Sequence, residues 1–359
     1  MKVLFIFYIP SGGVETLNRL RCQTLKQYGV ECHLLYLHPG LGLQNMHALS
    51  DIPMYTTDSD NDISIILRAN QFDAIVVISD FLMLERLRRL GYSGPLIYEI
   101  QGFGTREKAA HVLQEAVPIL SSCCNAVILP NTSHLFELVI EICPWLQRFI
   151  LPNMINTAQF KYVETNYTSP PVISWIGRLE PNKNWNEFLH IGRRLIDIHP
   201  EMKLWMFHDE TIYVEEDKQN FYRTLDQLQL GPHIHLLSNV PHAEMPRYLS
   251  MTGDSGGILL STSVIEGFGY AVAEAMCCHC PVLSTDSDGV RSFINHNVTG
   301  KFYPLGHVDV AVAEALELMH NQELRNNIRR QAYTHIDSKF TPDQYGTSFV
   351  QIMNALNVF

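Results

Sequence analysis

Two carboxylates, Glu266 and Glu274, are separated by seven residues and enclose a glycine turn. The apolar run at 255–261 before them predicts a strand, and the run at 270–276 predicts a helix. A turn that joins a strand to a helix presents backbone N–H groups at the helix N-terminus, where anions bind readily. A phosphate site flanked by two acceptors for hydroxyl hydrogen bonds predicts a sugar nucleotide as the ligand.

A second turn carries two cations. The run Val172–Ile176 predicts a strand, Gly177 turns the chain, and Arg178 and Lys183 follow before a helix that begins near Asn184. A guanidinium offers a planar fork and an ammonium a compact charge, and both suit a diphosphate. One such cation would more often be a solvated side chain beside a turn. Two cations in one turn favour phosphate binding.

A third turn, with Gly12 and Gly13, follows the apolar run at 2–8. Glycine-rich turns of this kind also serve packing, so this signal is weak by itself. The G-x-G-x-x-G pattern of dinucleotide-binding proteins is absent there, which argues against NAD.

The elements around these turns alternate between strand and helix along most of the chain. Such alternation predicts parallel sheets, and 359 residues predict two domains. We therefore expect an α/β protein with two Rossmann-like domains whose sheets face each other across a cleft. The predicted segments are an N-terminal domain at 1–153, a C-terminal domain at 154–336, and a final helix at 337–359 that packs back on the first domain.

Composition limits the partners. The net charge of −11 argues against nucleic acid and against strong attraction to anionic lipid, which leaves at most peripheral membrane contact. No segment has the length or apolarity of a membrane span or a signal peptide, and the eight cysteines form no disulfide framework, so a cytoplasmic location is expected. The cysteines at 277–280 lack the second paired unit typical of zinc sites.

The chain resembles the family-4 glycosyltransferases, retaining enzymes of the GT-B fold, over nearly its whole length. The resemblance rests on Gly12-Gly13-Val-Glu15, Leu151-Pro-Asn153, Gly177-Arg-Leu-x-x-x-Lys183-Asn and Glu266-Gly-Phe-Gly-x-x-x-x-Glu274-Ala-Met. The two-glutamate segment combined with the cationic turn is its specific part.

This resemblance implies a role for each matching residue. Arg178 and Lys183 would stabilise the leaving diphosphate, Glu266 would lie beside the donor sugar, and Glu274 would bind the ribose hydroxyls. The other implied donor-binding positions are Gly12, Gly13, Gly177, Asn239, Val240, Gly267, Phe268, Gly269, Tyr270 and Ala271. The family needs neither a metal ion nor another cofactor, so none is expected here.

Several positions depart from the family pattern. Gln101 stands where many relatives have a histidine, and an amide can donate a hydrogen bond to a sugar hydroxyl but cannot titrate. Asn239 and His279 replace common glycines, and His208-Asp209 replaces another. With Glu266, Arg178 and Lys183, Gln101 completes the predicted catalytic set.

Two further patterns have ordinary interpretations. Asp58-Ser-Asp60-Asn-Asp62 has the spacing used by metal-dependent glycosyltransferases, but a solvated turn in a polar loop is the better interpretation. The basic run at 81–90 predicts a surface helix more readily than a membrane-facing one.

The leading hypothesis is a metal-independent retaining glycosyltransferase that moves a sugar from a nucleoside diphosphate to an acceptor. The acceptor class stays open between saccharide, lipid-linked glycan, protein and small molecule, and the base between UDP, GDP, ADP and dTDP. The alternatives are a glycosyltransferase-like binding or scaffold protein without turnover, and a sugar-nucleotide epimerase of the GT-B fold.

Overall fold

The computed structural model describes residues 1–49, 51–168 and 170–358, which form two compact units. The first unit contains Met1–Met154 together with Phe340–Phe359, and the second contains Ile155–Lys339. The chain therefore returns to the first unit for its last helix.

The first unit is built on a seven-stranded parallel sheet in the order β3-β2-β1-β4-β5-β6-β7. Its strands are β1 (Lys2–Phe7), β2 (Glu31–Tyr36), β3 (Met54–Thr56), β4 (Ala74–Ile78), β5 (Leu96–Glu99), β6 (Ala126–Leu129) and β7 (Gln147–Ile150). Its helices are α1 (Gly12–Lys26), α2 (Asp60–Asn70), α3 (Leu82–Arg89), α4 (Arg106–Cys123) and α5 (Ser133–Ile142), besides the C-terminal helix. The central strands are apolar and buried, as expected when helices cover both faces of a parallel sheet.

The second unit has a six-stranded parallel sheet in the order β10-β9-β8-β11-β12-β13. Its strands are β8 (Val172–Ile176), β9 (Lys203–His208), β10 (Ile234–Ser238), β11 (Ile258–Ser261), β12 (Val282–Thr285) and β13 (Lys301–Tyr303). Its helices are α6 (Trp185–Ile198), α7 (Glu215–Gln227), α8 (Met245–Asp254), α9 (Tyr270–Cys277), α10 (Val308–His320) and α11 (Gln322–Lys339). The core joins one face of the sheet to the apolar sides of α6, α7, α10 and α11.

The C-terminal helix α12 (Pro342–Ala355) packs on α1. Thr341 caps it by accepting a hydrogen bond from the Gln344 N–H at 3.2 Å. Gly346 lies against the ring of Tyr28, where a Cβ would come within 2.3 Å of a ring carbon. Glycine thus lets α12 approach the ring of Tyr28, which follows the end of α1.

Each sheet reverses its strand order once, between β1 and β4 in the first unit and between β8 and β11 in the second. Ligands of open α/β sheets bind outside the carboxyl ends of the strands at such a switch point. The turns singled out by sequence follow β1, β8 and β11, so each stands at a switch point of its own sheet.

The acidic run at 58–62 is exposed, as the sequence interpretation expected, but residues 60–62 belong to a helix and not to a polar loop. Ser59 caps α2, and Asp60 and Asp62 lie in its first turn, where carboxylates interact favourably with the helix dipole. Arg86 on α3 donates hydrogen bonds to Asp58 and to Asp60. These carboxylates therefore stabilise the first turn of α2 and bind α3, which lies against α4 as an ordinary helix of the unit.

No helix in the described part of the chain combines the length and the apolarity that crossing a bilayer requires.

Candidate functional site

The loops that follow β8 and β11 are joined by hydrogen bonds centred on buried Thr262. Its hydroxyl accepts from the indole N–H of Trp175 at 3.0 Å and donates to the Lys183 carbonyl at 2.9 Å. Farther along, the Val264 N–H donates to the Asn182 carbonyl at 2.8 Å. The two loops are therefore fixed to each other at the switch point of the second sheet.

This framework brings Lys183 and Glu266 into contact. The Lys183 Nζ lies 2.6 Å from Glu266 Oε1, and the two side chains are 21 % and 15 % exposed. The two residues are separated by 83 positions in sequence, so the contact is a product of the fold. It places one cation and one predicted sugar-binding carboxylate at a single, partly accessible point.

Arg178 lies on the same loop but has a different partner. Its Nη2 is 3.1 Å from Glu180 Oε1, and the two side chains are 39 % and 29 % exposed. Gly177 before it has no room for a side chain, since a Cβ would come within 2.8 Å of the Trp175 ring and 3.1 Å of Lys183. The glycine thus lets the Lys183 side chain pass close to the strand end.

A three-residue turn separates Glu266 from the N-terminus of α9. Gly267 and Phe268 lead to Gly269, whose φ of +91° favours glycine, and α9 begins at Tyr270. The Gly269 carbonyl already accepts from the N–H groups of Val272 and Ala273. The N–H groups of the helix's first residues, which include Tyr270 and Ala271, point out of its N-terminus as they do in any α-helix.

Gly289 supports the backbone of Glu266 from the loop after β12. Its N–H donates to the Glu266 carbonyl at 3.1 Å, and a Cβ at Gly289 would lie 2.4 Å from that oxygen. The φ of Gly289 is −61°, which any residue can adopt, so close packing rather than backbone conformation requires glycine here.

Glu274 on α9 is buried and is hydrogen-bonded to His242. The distance from Glu274 Oε1 to His242 Nε2 is 2.8 Å, and the His242 ring packs on Phe160 with centroids 4.6 Å apart. The sequence interpretation missed His242. It stands three residues after Asn239 in the loop predicted to meet the base, which is the signal that could have found it.

The loop after β10 contains Asn239 and Val240. Asn239 has a φ of +50°, so the asparagine adopts the left-handed conformation that a glycine adopts readily. His279 after α9 does the same, with a φ of +57°. The Asn239 N–H donates to the carbonyl of His208, whose pKa is lowered by burial.

Gln101 of the first unit belongs to a buried polar network at the end of β5. Its Nε2 donates to Glu99 Oε1 and to Asn153 Oδ1, at 2.5 and 3.2 Å, and its Oε1 accepts from Asn153 Nδ2 at 2.9 Å. Arg21 on α1 binds both oxygens of Glu99 at 2.6 Å. Both N–H groups of the Gln101 amide are thus engaged, and only its carbonyl oxygen can accept a further hydrogen bond.

Arg21 is fully buried, and its guanidinium lies 4.7 Å from the centroid of the Phe5 ring. Burial lowers the pKa of Arg21, but the charge of Glu99 and its hydrogen bonds more than offset this and hold the pKa above the usual value. The Arg21 guanidinium therefore keeps its positive charge in the folded protein.

Gly12 and Gly13 are the first two residues of α1 rather than a loop before it. Both are exposed, and Gly12 has a φ of +66°. A Cβ at Gly12 would meet no atom within 4 Å, so the backbone conformation alone favours glycine. The predicted donor-binding role of this turn stays a prediction.

Cys277, Cys278 and Cys280 are buried at the end of α9, and burial raises the pKa of each thiol. Across residues 1–49, 51–168 and 170–358, no group of three or more histidine, cysteine or acidic side chains is arranged to hold a metal ion.

A family model described as "Glycosyl transferases group 1" matches residues 157–335, which is nearly the whole second unit. The second unit therefore belongs to the glycosyl transferases of group 1. The predicted kind of family, a glycosyltransferase, is confirmed for this unit. The matched segment contains the Lys183–Glu266 and His242–Glu274 pairs.

Curated relatives match at low identity over part of their length. The YtcC protein of Bacillus subtilis (strain 168), which carries a provisional glycosyltransferase name, is 27% identical over 175 residues, covering 47% of this chain and 42% of that protein. Trehalose synthase of Pyrococcus horikoshii is 24% identical over 245 residues, covering 62% of this chain and 57% of that protein. The chain thus spans about half the length of these relatives.

Two solved structures each match this chain over 99% of its length. Anabaena Alr3699/HepE in complex with UDP-glucose has a TM-score of 0.84 at 15% identity, with all of that chain covered. Sucrose-phosphate synthase from Thermosynechococcus elongatus has a TM-score of 0.79 at 12% identity, with 99% of that chain covered. At such identity the likeness shows the fold, and it confirms the predicted GT-B class with two Rossmann-like domains.

Proposed function

We propose that this group 1 protein transfers a sugar from a nucleoside diphosphate sugar to an acceptor, with retention and without a metal ion. The second unit binds the donor. Lys183 and Arg178 contact the diphosphate, the N-terminus of α9 holds its distal phosphate, Glu266 contacts the donor sugar, and Glu274 accepts from the ribose hydroxyls.

The contact between Lys183 and Glu266 carries this proposal. It unites the loops after β8 and β11 at the switch point of the sheet, one residue before the turn into α9. A sugar phosphate has an anionic end and a hydroxylated end, and this corner offers an ammonium, a carboxylate and a helix N-terminus to match them. HepE, described in complex with UDP-glucose, has the same fold.

The charges of the site suit cleavage of a glycosyl–phosphate bond. As that bond breaks, negative charge grows on the leaving phosphate and positive charge on the sugar. A fixed ammonium and guanidinium bind the phosphate more strongly in the transition state than in the ground state, and this difference lowers the barrier. Glu266 lies beside the ammonium and can both orient a sugar hydroxyl and stabilise the positive charge on the ring.

The acceptor is not fixed by the relatives, whose names cover several chemical classes. They include trehalose synthase, an N-acetyl-alpha-D-glucosaminyl L-malate synthase of Bacillus anthracis and a phosphatidylinositol N-acetylglucosaminyltransferase subunit of Saccharomyces cerevisiae. The proposal therefore names the donor class and leaves the acceptor open.

A second candidate is a protein that binds sugar nucleotides without turnover. The engagement of both Gln101 N–H groups favours it, because that amide can only accept from a ligand at a position where many family members have a histidine.

The test is incubation of the full chain with UDP-, GDP-, ADP- and dTDP-sugars in the presence of EDTA, with release of nucleoside diphosphate as the readout. We expect one donor to be hydrolysed slowly without acceptor. The change of Arg178 and Lys183 together to alanine should reduce the rate about 100- to 1,000-fold. Full activity of that variant would overturn the assigned roles, and binding without any hydrolysis would support the second candidate.

The matched control changes Arg193 and Arg194 together to alanine. These residues lie on α6 of the same unit, where they pair with Asp197 and Asp309 on the surface. The control removes the same charge from the unit and should leave the rate within about twofold, because long-range effects between exposed charges are screened.

A further inference from the structure

Glu180 stands beside a cation that the proposed function assigns to the diphosphate. Its Oε1 lies 3.1 Å from Arg178 Nη2. In the described part of the chain Arg178 is the hydrogen-bond partner of the Glu180 side chain, which does not cap the turn that follows it. The carboxylate is thus held by Arg178 rather than by the backbone.

The local backbone fixes this arrangement. The Glu180 N–H donates to the Arg178 carbonyl at 2.8 Å, and the Lys183 N–H donates to the Glu180 carbonyl at 3.1 Å. Leu179, which lies between Arg178 and Glu180, is buried and forms an isolated β-bridge with Tyr213. Glu180 therefore stays within reach of Arg178 without a rearrangement of the loop.

Each of the two cations of this loop is paired with a carboxylate. Arg178 pairs with Glu180, and Lys183 pairs with Glu266. A diphosphate that approaches Arg178 meets a cation that already has a carboxylate partner. The Arg178–Glu180 pair is the more exposed of the two, so it is the one that a ligand can replace with least change.

We propose that Glu180 is a counter-ion that competes with the donor diphosphate for Arg178 and so weakens the binding of the diphosphate. The inference rests on the proposed function. Binding transfers the guanidinium from the Glu180 carboxylate to a phosphate oxygen, and release of the nucleoside diphosphate product returns it. Glu180 thereby sets the affinity for the diphosphate group without contacting the sugar.

The test is calorimetric titration of the full chain with UDP, GDP, ADP and dTDP at low and at high salt. For the nucleotide that binds, Glu180→Gln should lower Kd about three- to fivefold, in line with the strength of a partly exposed ion pair. The gain should shrink at high salt, and the corresponding nucleoside without phosphates should show no gain.

A double-mutant cycle gives the decisive comparison. In the Arg178→Ala background, Glu180→Gln should leave Kd unchanged, because the group for which Glu180 competes is gone. Glu323→Gln, which removes an exposed carboxylate from the first turn of α11, is the control for net charge and should have no effect.

The outcomes separate this inference from the proposed function. If a nucleotide binds the wild type but Glu180→Gln leaves its Kd unchanged or raises it, the counter-ion role is wrong and the proposed function stands. An equal gain in the Arg178→Ala background would also overturn the counter-ion role. If none of the four nucleotides binds the wild type, the proposed function fails, and the role of Glu180 fails with it.

Discussion

The carboxyl ends of the two sheets hold charged groups in contrasting states. In the first unit, the Arg21–Glu99 pair is 0 % and 3 % exposed, has two hydrogen bonds of 2.6 Å, and is closed further by Gln101. In the second unit, the Arg178–Glu180 pair is 39 % and 29 % exposed and has a single contact of 3.1 Å. The first arrangement holds structure together, and the second can exchange one partner for a ligand.

Desolvation explains why the buried ion pair suits a structural role and the exposed ion pair suits ligand binding. Removing one partner from a buried ion pair leaves an uncompensated charge in a medium that cannot solvate it. A partly exposed pair loses little when it opens, because water replaces the lost partner. A partly exposed pair such as Arg178–Glu180 is therefore suited to ligand binding, whereas the buried network of the first unit fixes the end of β5.

The largest expected effect comes from breaking the buried pair. Arg21→Met should destabilise the first unit by about 3–5 kcal/mol, because Glu99 is left buried without its cation. Hydrogen exchange at the amides of β1 and β4, measured by mass spectrometry, reports the opening free energy of this unit separately from the second.

The exposed Arg106 of α4, which pairs with Glu137, supplies the matched control. Arg106→Ala should cost less than about 1 kcal/mol. If both variants lost the same free energy of unfolding, the buried and the exposed ion pairs would not differ in the way described.

A second variant tests whether close packing positions Glu266. Gly289→Ala places a methyl group 2.4 Å from the Glu266 carbonyl oxygen, so that backbone must shift. We expect a loss of about 1–3 kcal/mol in the stability of the second unit, as for other overpacked sites. Donor hydrolysis should fall as well, since the shift moves Glu266 away from Lys183.

Gly231→Ala is the control for this substitution, because a Cβ there meets no atom within 4 Å. A rate as low in Gly231→Ala as in Gly289→Ala would show that the effect is general and not specific to the Glu266 loop.

A smaller effect is expected at His242, which holds one oxygen of Glu274. His242→Ala should raise the Kd for the donor nucleotide about tenfold through loss of a hydrogen bond to a charged group. The rate at saturating donor should change little, because Glu274 contacts the ribose and not the reacting bond. His242→Gln keeps a side-chain donor and should restore part of the affinity; a fall in the saturating rate without a change in Kd would contradict this role.

The order of strands and helices could be predicted because it depends on local periodicity. The runs at 172–176 and 270–276 became β8 and most of α9, and the Rossmann-like pattern followed. The polar start of α2 was misread because its cap and first turn, Ser59 to Asp62, have the composition of a loop.

The partners of the site residues could not be predicted in the same way. Lys183 and Glu266 are brought together by the hydrogen bonds of Thr262, a residue with no motif of its own. The same limit applies to the pairing of His242 with Glu274, and to Gln101, whose amide is engaged by a residue 52 positions away. Such pairings depend on tertiary contacts that a single sequence does not display.

The most direct test of the Lys183–Glu266 corner is the affinity of the full chain for its nucleoside diphosphate, measured by calorimetry before and after Lys183→Ala. We expect Kd to rise at least about tenfold, as for loss of a charge-assisted hydrogen bond, while the affinity for the nucleoside alone stays the same. An unchanged Kd for the nucleoside diphosphate would show that the Lys183 ammonium does not contact the phosphates, and the proposed corner would then be wrong.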